Sequence, residues 1–116
     1  MPLSSIPVLI DELRSNRMII LMDDEDRENE GDLLIAAEAV TPEVIQFFSS
    51  EACGLICMPI TEERARQLKL PMMASNNLSQ HETNFTVSID ATEQIGPGIS
   101  AIQRAHTVAN AVKRDA

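Results

Sequence analysis

The sequence predicts a mixed α/β (α+β) domain in which a small mixed sheet is flanked by helices. Three observations carry that expectation. Continuous apolar runs of strand length stand at residues 18–22, 33–37 and 55–58, each bounded by polar turn residues. Helix-start residues stand at Ser5, Thr41, Thr61 and Ser100. The two kinds of signal alternate along a chain of 116 residues, a length suited to one domain over residues 1–116.

Ile6, Leu9, Ile10 and Leu13 recur at helical spacing behind Ser5, and Pro7 fits the first turn, where its missing N–H has no intrahelical partner to lose. The strand at 18–22 follows, then a polar turn and a second strand at 33–37. Thr41-Pro42-Glu43 opens a helix whose apolar face is Ile45, Phe48 and Ala52 and which Gly54 is expected to end. After the third strand, Thr61 caps a short charged helix running through Leu68 and stopped by Pro71. Residues 71–84 follow neither period, as Ser75-Asn76-Asn77 and Ser79-Gln80-His81 show, and form a long polar loop of the kind that often carries function. Phe85, Val87 and Ile89 alternate with Thr86, Ser88 and Asp90 in the pattern of a strand with one wet face. Ser100 and Gln103 make a capping box that opens a helix with Ile102, Ala105, Ala109 and Val112 facing inward. No strand follows to cover that face, so the chain is expected to be a portion of a larger domain or to complete its core with a partner.

Composition narrows the classes. Hydrophobic content of 44% and charged content of 23% are ordinary for a globular chain, but aromatic content is 3% with no Trp or Tyr, so the core should be aliphatic and Met-rich. A net charge of -9 repels phosphate backbones, and no cluster of Lys and Arg offsets it, which sets nucleic acid aside. No apolar stretch approaches the roughly 20 residues of a membrane span, and Met1-Pro2-Leu3-Ser4-Ser5 lacks the basic and apolar regions of a signal peptide. A cytoplasmic protein is expected. Cys53 and Cys57 have no second Cys pair or nearby His to complete a zinc site, which fits free thiols in a reducing compartment.

The turn between the first two strands holds the chemistry. Asp23-Asp24-Glu25-Asp26-Arg27-Glu28-Asn29-Glu30-Gly31-Asp32 carries seven carboxylates and one guanidinium, six of the nine net negative charges. Such a run can be simple solvated charge. Pinned between two apolar strands, however, it must relieve its own repulsion, and a divalent cation together with Arg27 would do so. An EF-hand does not fit: Asp26, Glu28, Glu30 and Gly31 imitate its early positions, but its twelfth position is Ala37 rather than Glu. A magnesium site needs only one or two carboxylates plus water and substrate oxygens. Arg27 beside Glu28 sets a bidentate cation next to a metal-capable carboxylate, suited to an anionic, hydroxylated substrate. Gly31 would allow the tight turn that returns Asp32 to the same place.

The thirteen residues Leu21-Met22-Asp23-Asp24-Glu25-Asp26-Arg27-Glu28-Asn29-Glu30-Gly31-Asp32-Leu33 resemble the signature loop of 3,4-dihydroxy-2-butanone 4-phosphate synthases of riboflavin biosynthesis. The likeness continues through Gly54-Leu55-Ile56-Cys57, Ile60-Thr61-Glu62, Gln67-Leu68-Lys69-Leu70-Pro71-Met72-Met73, Asn84-Phe85-Thr86-Val87-Ser88-Ile89 and Gly98-Ile99-Ser100-Ala101. It covers the whole chain but only the N-terminal half or so of the family domain. It also resembles the N-terminal part of longer proteins in which the synthase precedes a GTP cyclohydrolase II-like half. The resemblance implies a lyase that converts D-ribulose 5-phosphate to 3,4-dihydroxy-2-butanone 4-phosphate and formate with magnesium (or manganese), as a homodimer with active sites near the subunit interface. By position it implies Glu28 as metal ligand; Arg27, Glu28 and Asp32 as substrate-binding residues; and Glu30, Asp32 and Cys57 as catalytic residues. Read from its own surroundings, Cys57 beside Ile56 could equally be a buried strand residue with an inert thiol.

Two departures bear on activity. Where the family carries Thr-Thr-Gly-Ile-Ser-Ala and then Asp-Arg, this chain has Gly96-Pro97-Gly98-Ile99-Ser100-Ala101 and then Gln103-Arg104. Hydroxyls expected near substrate are gone, and Pro97 removes a backbone donor. The family's second metal ligand, the histidine of a Gly-His-Thr-Glu segment, is also absent. His81, in the polar loop, and His106, in a helix, are expected to serve surface or packing roles instead. The chain alone should therefore turn over weakly or not at all. Two further readings stand beside the lyase: a non-catalytic homologue or fragment acting as a dimerisation or interaction module, and a generic divalent-cation binder.

Overall fold

The computed structural model describes residues 2–116, and their paired strands form one antiparallel hairpin. Strands β1 (Ile19–Met22) and β2 (Gly31–Leu34) set Ile19 opposite Leu34, Ile20 opposite Leu33, Leu21 opposite Asp32 and Met22 opposite Gly31. The second strand thus begins inside the acidic run, two residues before its expected start. Residues 35–36 carry no pairing, and Ala37–Ala39 close a 3₁₀ turn.

Helix α1 (Ile6–Arg14) starts where the apolar spacing placed it, with Ser5 in the capping position but no side-chain bond from it. Helix α2 (Pro42–Phe47) is capped by Thr41, whose hydroxyl accepts from the Val44 N–H at 3.3 Å. Its last stretch, Phe48–Ala52, widens into a π turn, where the Ser49 hydroxyl takes the Ile45 carbonyl and the Ser50 hydroxyl takes that of Gln46. The residue that turns out of this helix is Cys53, at φ 56, rather than Gly54. Helix α3 (Glu62–Gln67) is capped by Thr61 onto the Arg64 N–H at 3.1 Å, and α4 (Ala101–Ala111) by Ser100 onto the Gln103 N–H at 3.2 Å. Three of the four expected caps are therefore made, and each removes an orphan N–H from a helix start.

The predicted strands at 55–58 and 85–89 do not form. Residues 55–60 run without ladder partners, and the second region keeps one antiparallel bridge between Met72 and Thr86, flanked by Met73 N–H to Phe85 O at 2.9 Å and Val87 N–H to Pro71 O at 3.0 Å. A strand pattern needs a neighbour to satisfy its outward N–H and C=O groups; among the described residues 55–58 has none, and 85–89 has only the short contact with 71–73. The α/β class holds, with the sheet reduced to this hairpin.

Packing is concentrated where α2 meets α4. Ile45 is 1% exposed, and Ala105, Ala111 and Ile19 are the other buried apolar residues. No methionine is among them: Met22, Met72 and Met73 are exposed, so the expected Met-rich core is absent and its aliphatic character remains. The inward face predicted for α4 is also rotated. Ala105 is buried, but Ile102 and Ala109 face outward, and Gln103 takes the innermost place with no exposure at all. The accessible surface of 9002 Å² exceeds the about 6300 Å² expected for a folded monomer of this mass. The radius of gyration, 15.3 Å, likewise exceeds the about 13 Å of a compact chain. Leu3, Leu55, Leu78 and Ile99 are each more than four-fifths exposed. Among the described residues no helix is long and apolar enough to cross a membrane.

Candidate functional site

The tip of the β1–β2 hairpin gathers the acidic residues by backbone bonding first. The Asp23 N–H donates to Glu30 O at 3.2 Å, which extends the ladder one step beyond Met22 and Gly31. Inside that closure the Asp24 carbonyl accepts from both the Arg27 N–H at 3.0 Å and the Asn29 N–H at 3.2 Å, and the Asp24 side chain accepts from the Asp26 N–H at 2.9 Å. The left-handed residue is Asn29, at φ 51, a conformation that asparagine tolerates. Gly31 has no positive φ and does not make the turn. A Cβ there would stand 2.8 Å from Met22 Sδ and 3.3 Å from Ile20 Cγ2, a crowding that the flexible, exposed Met22 side chain can relieve by shifting.

Side chains then organise around one carboxylate. Asp23 Oδ1 accepts from the Glu30 N–H at 2.8 Å, while Oδ2 accepts from the Glu28 N–H at 3.1 Å and from Arg27 Nη1 at 2.8 Å. The Glu30 N–H, then Arg27 and the Glu28 N–H, hold the Asp23 carboxyl below its ordinary pKa against the opposing effect of burial. The Arg27 guanidinium is held above its ordinary pKa, first by the bond to Asp23 and then by the charge of Glu28, with Asp32 adding to it. Arg27 Nη1 also lies 3.3 Å from Glu28 Oε2. Its Nη2 and Nε make no bond to a described residue, leaving that edge of the fork open.

Of the residues singled out by sequence, the hairpin brings Arg27, Glu28 and Glu30 together, with Asp32 on the adjoining strand. All four are exposed, so their carboxylates and guanidinium can reach a ligand. Cys57 stands apart. It lies in the unpaired segment after the π turn, is exposed rather than buried in a strand, and makes no hydrogen bond to the acidic tip. Sequence reasoning passed over Asp23, because one carboxylate among seven carries no distinguishing local signal. Its position next to the last β1 residue was the available clue.

Among the described residues no three His, Cys, Asp or Glu side chains converge as a ready metal cage. What the tip offers is a set of exposed carboxylates, Glu25, Asp26, Glu28, Glu30 and Asp32, with Glu28 beside Arg27. That suits an ion such as magnesium, which keeps several waters and shares its shell with substrate oxygens, and does not suit a closed zinc site. His81 is exposed on the polar loop, and His106 packs on α4 with Nε2 3.3 Å from Glu93 Oε2 and 3.2 Å from Asn110 Nδ2, so neither joins the tip.

The Gln103 departure has a definite outcome. Its side chain does not reach back to the Ser100 N–H, so only half of the expected capping box exists, and Ser100 N–H donates to Pro97 O instead at 2.8 Å. Gln103 Oε1 accepts from the Ile95 N–H at 2.8 Å, and Nε2 donates to Asp90 Oδ1 at 2.8 Å and to Glu93 O at 3.2 Å. Thr107 completes the cluster: its hydroxyl lies 3.0 Å from Asp90 Oδ1 and accepts from the Ala91 N–H at 3.0 Å. No hydrogen bond links this cluster to the acidic tip.

The family model described as 3,4-dihydroxy-2-butanone 4-phosphate synthase matches residues 7–116. A 3,4-dihydroxy-2-butanone 4-phosphate synthase of Pseudomonas aeruginosa is 53% identical over 116 residues, covering 100% of this chain and 32% of that protein. The crystal structure of RibBX, a two-domain 3,4-dihydroxy-2-butanone 4-phosphate synthase from A. baumannii, superposes with a TM-score of 0.87 at 51% identity, covering 97% of this chain and 33% of that one. A 3,4-dihydroxy-2-butanone 4-phosphate synthase in complex with two magnesium ions superposes with a TM-score of 0.94 at 40% identity, covering 98% of this chain and 53% of that one. The chain spans about a third of the length of the first curated relatives it matches.

Proposed function

The chain belongs to the 3,4-dihydroxy-2-butanone 4-phosphate synthase family, and from that premise we propose that it carries the acidic binding loop of a riboflavin-pathway lyase. The reaction is conversion of D-ribulose 5-phosphate to 3,4-dihydroxy-2-butanone 4-phosphate and formate. The observation that supports it is the hairpin tip, which brings Arg27, Glu28 and Glu30 together on an exposed face with Asp32 adjoining.

The roles are those the resemblance implies, and the geometry of the tip supports them. The open edge of Arg27 offers paired N–H donors to substrate oxygens, since its other side is fixed on Asp23. Glu28 is the residue that would hold the divalent cation, magnesium or manganese, with water and substrate oxygens filling the remaining positions. When bound, the cation supplies positive charge against the enediolate that forms as the sugar phosphate enolises. Glu30 and Asp32 are carboxylates able to take a proton from the sugar, and their exposed position lets them approach it from the loop and from the strand. Cys57 is assigned to the site by resemblance alone. The homodimer and the cytoplasmic setting belong to the same reading. The interaction-module alternative is not favoured, because relatives about half identical over nearly the whole chain carry the synthase name.

Formate release from ribulose 5-phosphate with magnesium, measured for this chain beside Glu28→Ala, tests the proposal. Release is expected to be weak or nil, and whatever release occurs should require magnesium and vanish in Glu28→Ala. Release that is equal in the two chains or indifferent to magnesium would overturn the assignment of Glu28, and magnesium affinity indifferent to ribulose 5-phosphate would leave a generic cation binder.

A further inference from the structure

We propose that Asp23 is the positioning residue of the acidic loop: it binds neither cation nor sugar but sets the places of Arg27, Glu28 and Glu30, which do. This rests on the functional reading above and adds to it a residue whose role is internal to the loop.

Three contacts converge on one carboxylate. Oδ1 fixes the Glu30 backbone at 2.8 Å, and Oδ2 fixes the Glu28 backbone at 3.1 Å and the Arg27 side chain at 2.8 Å. Each of the three partners is itself one of the site residues, and no other carboxylate of the run does the same. The Asp24 side chain accepts only from the Asp26 N–H. Asp26 and Asp32 make no side-chain hydrogen bond to a described residue. Burial separates Asp23 as well, since its side chain is 21% exposed while those of Arg27 and Glu28 are 48% and 38% exposed. A ligand arriving from solvent therefore meets Arg27 and Glu28 before it meets Asp23.

The chemistry explains why a carboxylate is needed there. Two backbone N–H groups and a guanidinium all donate, so the centre must accept at three points at once. An ionised carboxylate has the lone pairs for that, while an amide turns one end into a donor that would face N–H groups. Asp23 also neutralises part of Arg27, which lets a guanidinium stand beside Glu28 without closing onto it as a full bidentate pair. The Arg27–Glu28 approach is indeed the longer of the two, 3.3 Å through a single nitrogen. Glu28 is thereby left with coordination capacity for a cation.

The test compares Asp23→Asn with Asp26→Asn, two changes that remove the same charge from the same loop. In ¹⁵N-labelled full chain, the amide shifts and exchange rates of Glu28 and Glu30 report the clamp directly, and line broadening by added Mn²⁺ reports cation binding at the tip. In Asp23→Asn those two amides should exchange at least tenfold faster and the Mn²⁺ needed for half-broadening should rise about tenfold, while the melting temperature stays within a few degrees. Asp26→Asn should leave all of these nearly as they were, and Asp23→Glu should not restore them, because the added methylene displaces the carboxylate. Unchanged Glu28 and Glu30 amides in Asp23→Asn, or an equal loss of Mn²⁺ broadening in both variants, would overturn the clamp. If Mn²⁺ broadens none of the tip amides of the unaltered chain, the metal reading of the loop falls, and the amide exchange of Asp23→Asn still decides whether the clamp exists.

Discussion

The acidic hairpin tip and the cluster around Gln103 are both polar constructions held by about the same number of hydrogen bonds, yet they are built in opposite senses. At the tip the charged groups face water, and one partly covered carboxylate arranges its neighbours from behind. Around Gln103 the innermost group is a neutral amide with no exposure, and every polar atom of it is used on protein partners. The difference separates two uses of polarity. Groups left with free lone pairs and open N–H edges can meet a ligand, while groups satisfied inside the fold fix a loop to a helix and have nothing left to offer.

Breaking the buried side should give the larger stability effect. Gln103→Ala leaves the Ile95 N–H without its acceptor and empties the space beneath residues 90–95, and a loss of about 3 kcal/mol is expected, read as a lower urea midpoint at unchanged slope. A loss confined to a few tenths would mean that water replaces the amide and that the cluster is not a fastening. Acid sharpens the comparison next. The Asp90 carboxyl is held below its ordinary value of 3.8 by bonds from Gln103, then Gln94 and Thr107. A depressed folded value means that its stabilisation is fully present above the ordinary pKa and is lost as pH falls through the lowered one. Below pH 3.8 the chain should therefore lose stability, and Asp90→Asn should flatten that dependence in unfolding curves taken across the acid range. The smallest effect belongs to the open side: Asp26→Asn removes a charge that no side-chain bond uses, and the urea midpoint should not move measurably.

Local signals were legible and non-local ones were not. Thr41, Thr61 and Ser100 announce helix starts because a cap is satisfied within three residues, and all three hold. The hairpin and its acidic turn were equally readable from two apolar runs around a polar one. Residues 55–58 and 85–89 show strand composition without becoming strands, because pairing depends on a neighbour elsewhere in space. The orientation of α4 was misjudged for a related reason. Apolar spacing put Ile102 and Ala109 inward, but the Asp90 and Ile95 segment lies against the helix and draws Gln103 to the centre. At the tip, sequence pointed to Arg27, Glu28, Glu30 and Asp32 as a group, and it could not show that Asp23, identical in kind to its neighbours, is the carboxylate that bonds the first three of them.

The surplus of exposed aliphatic surface gives the charge of -9 a second meaning. A chain with Leu55, Leu78 and Ile99 open to water and unpaired extended backbone at 55–60 has what copies need to adhere to one another. Mutual repulsion among seven clustered carboxylates and the rest of the acidic surface opposes that contact only over the screening distance, about 8 Å at physiological salt and about 3 Å at 1 M. The carboxylates of the loop thus act as a colloidal stabiliser, and concentrated salt removes that protection.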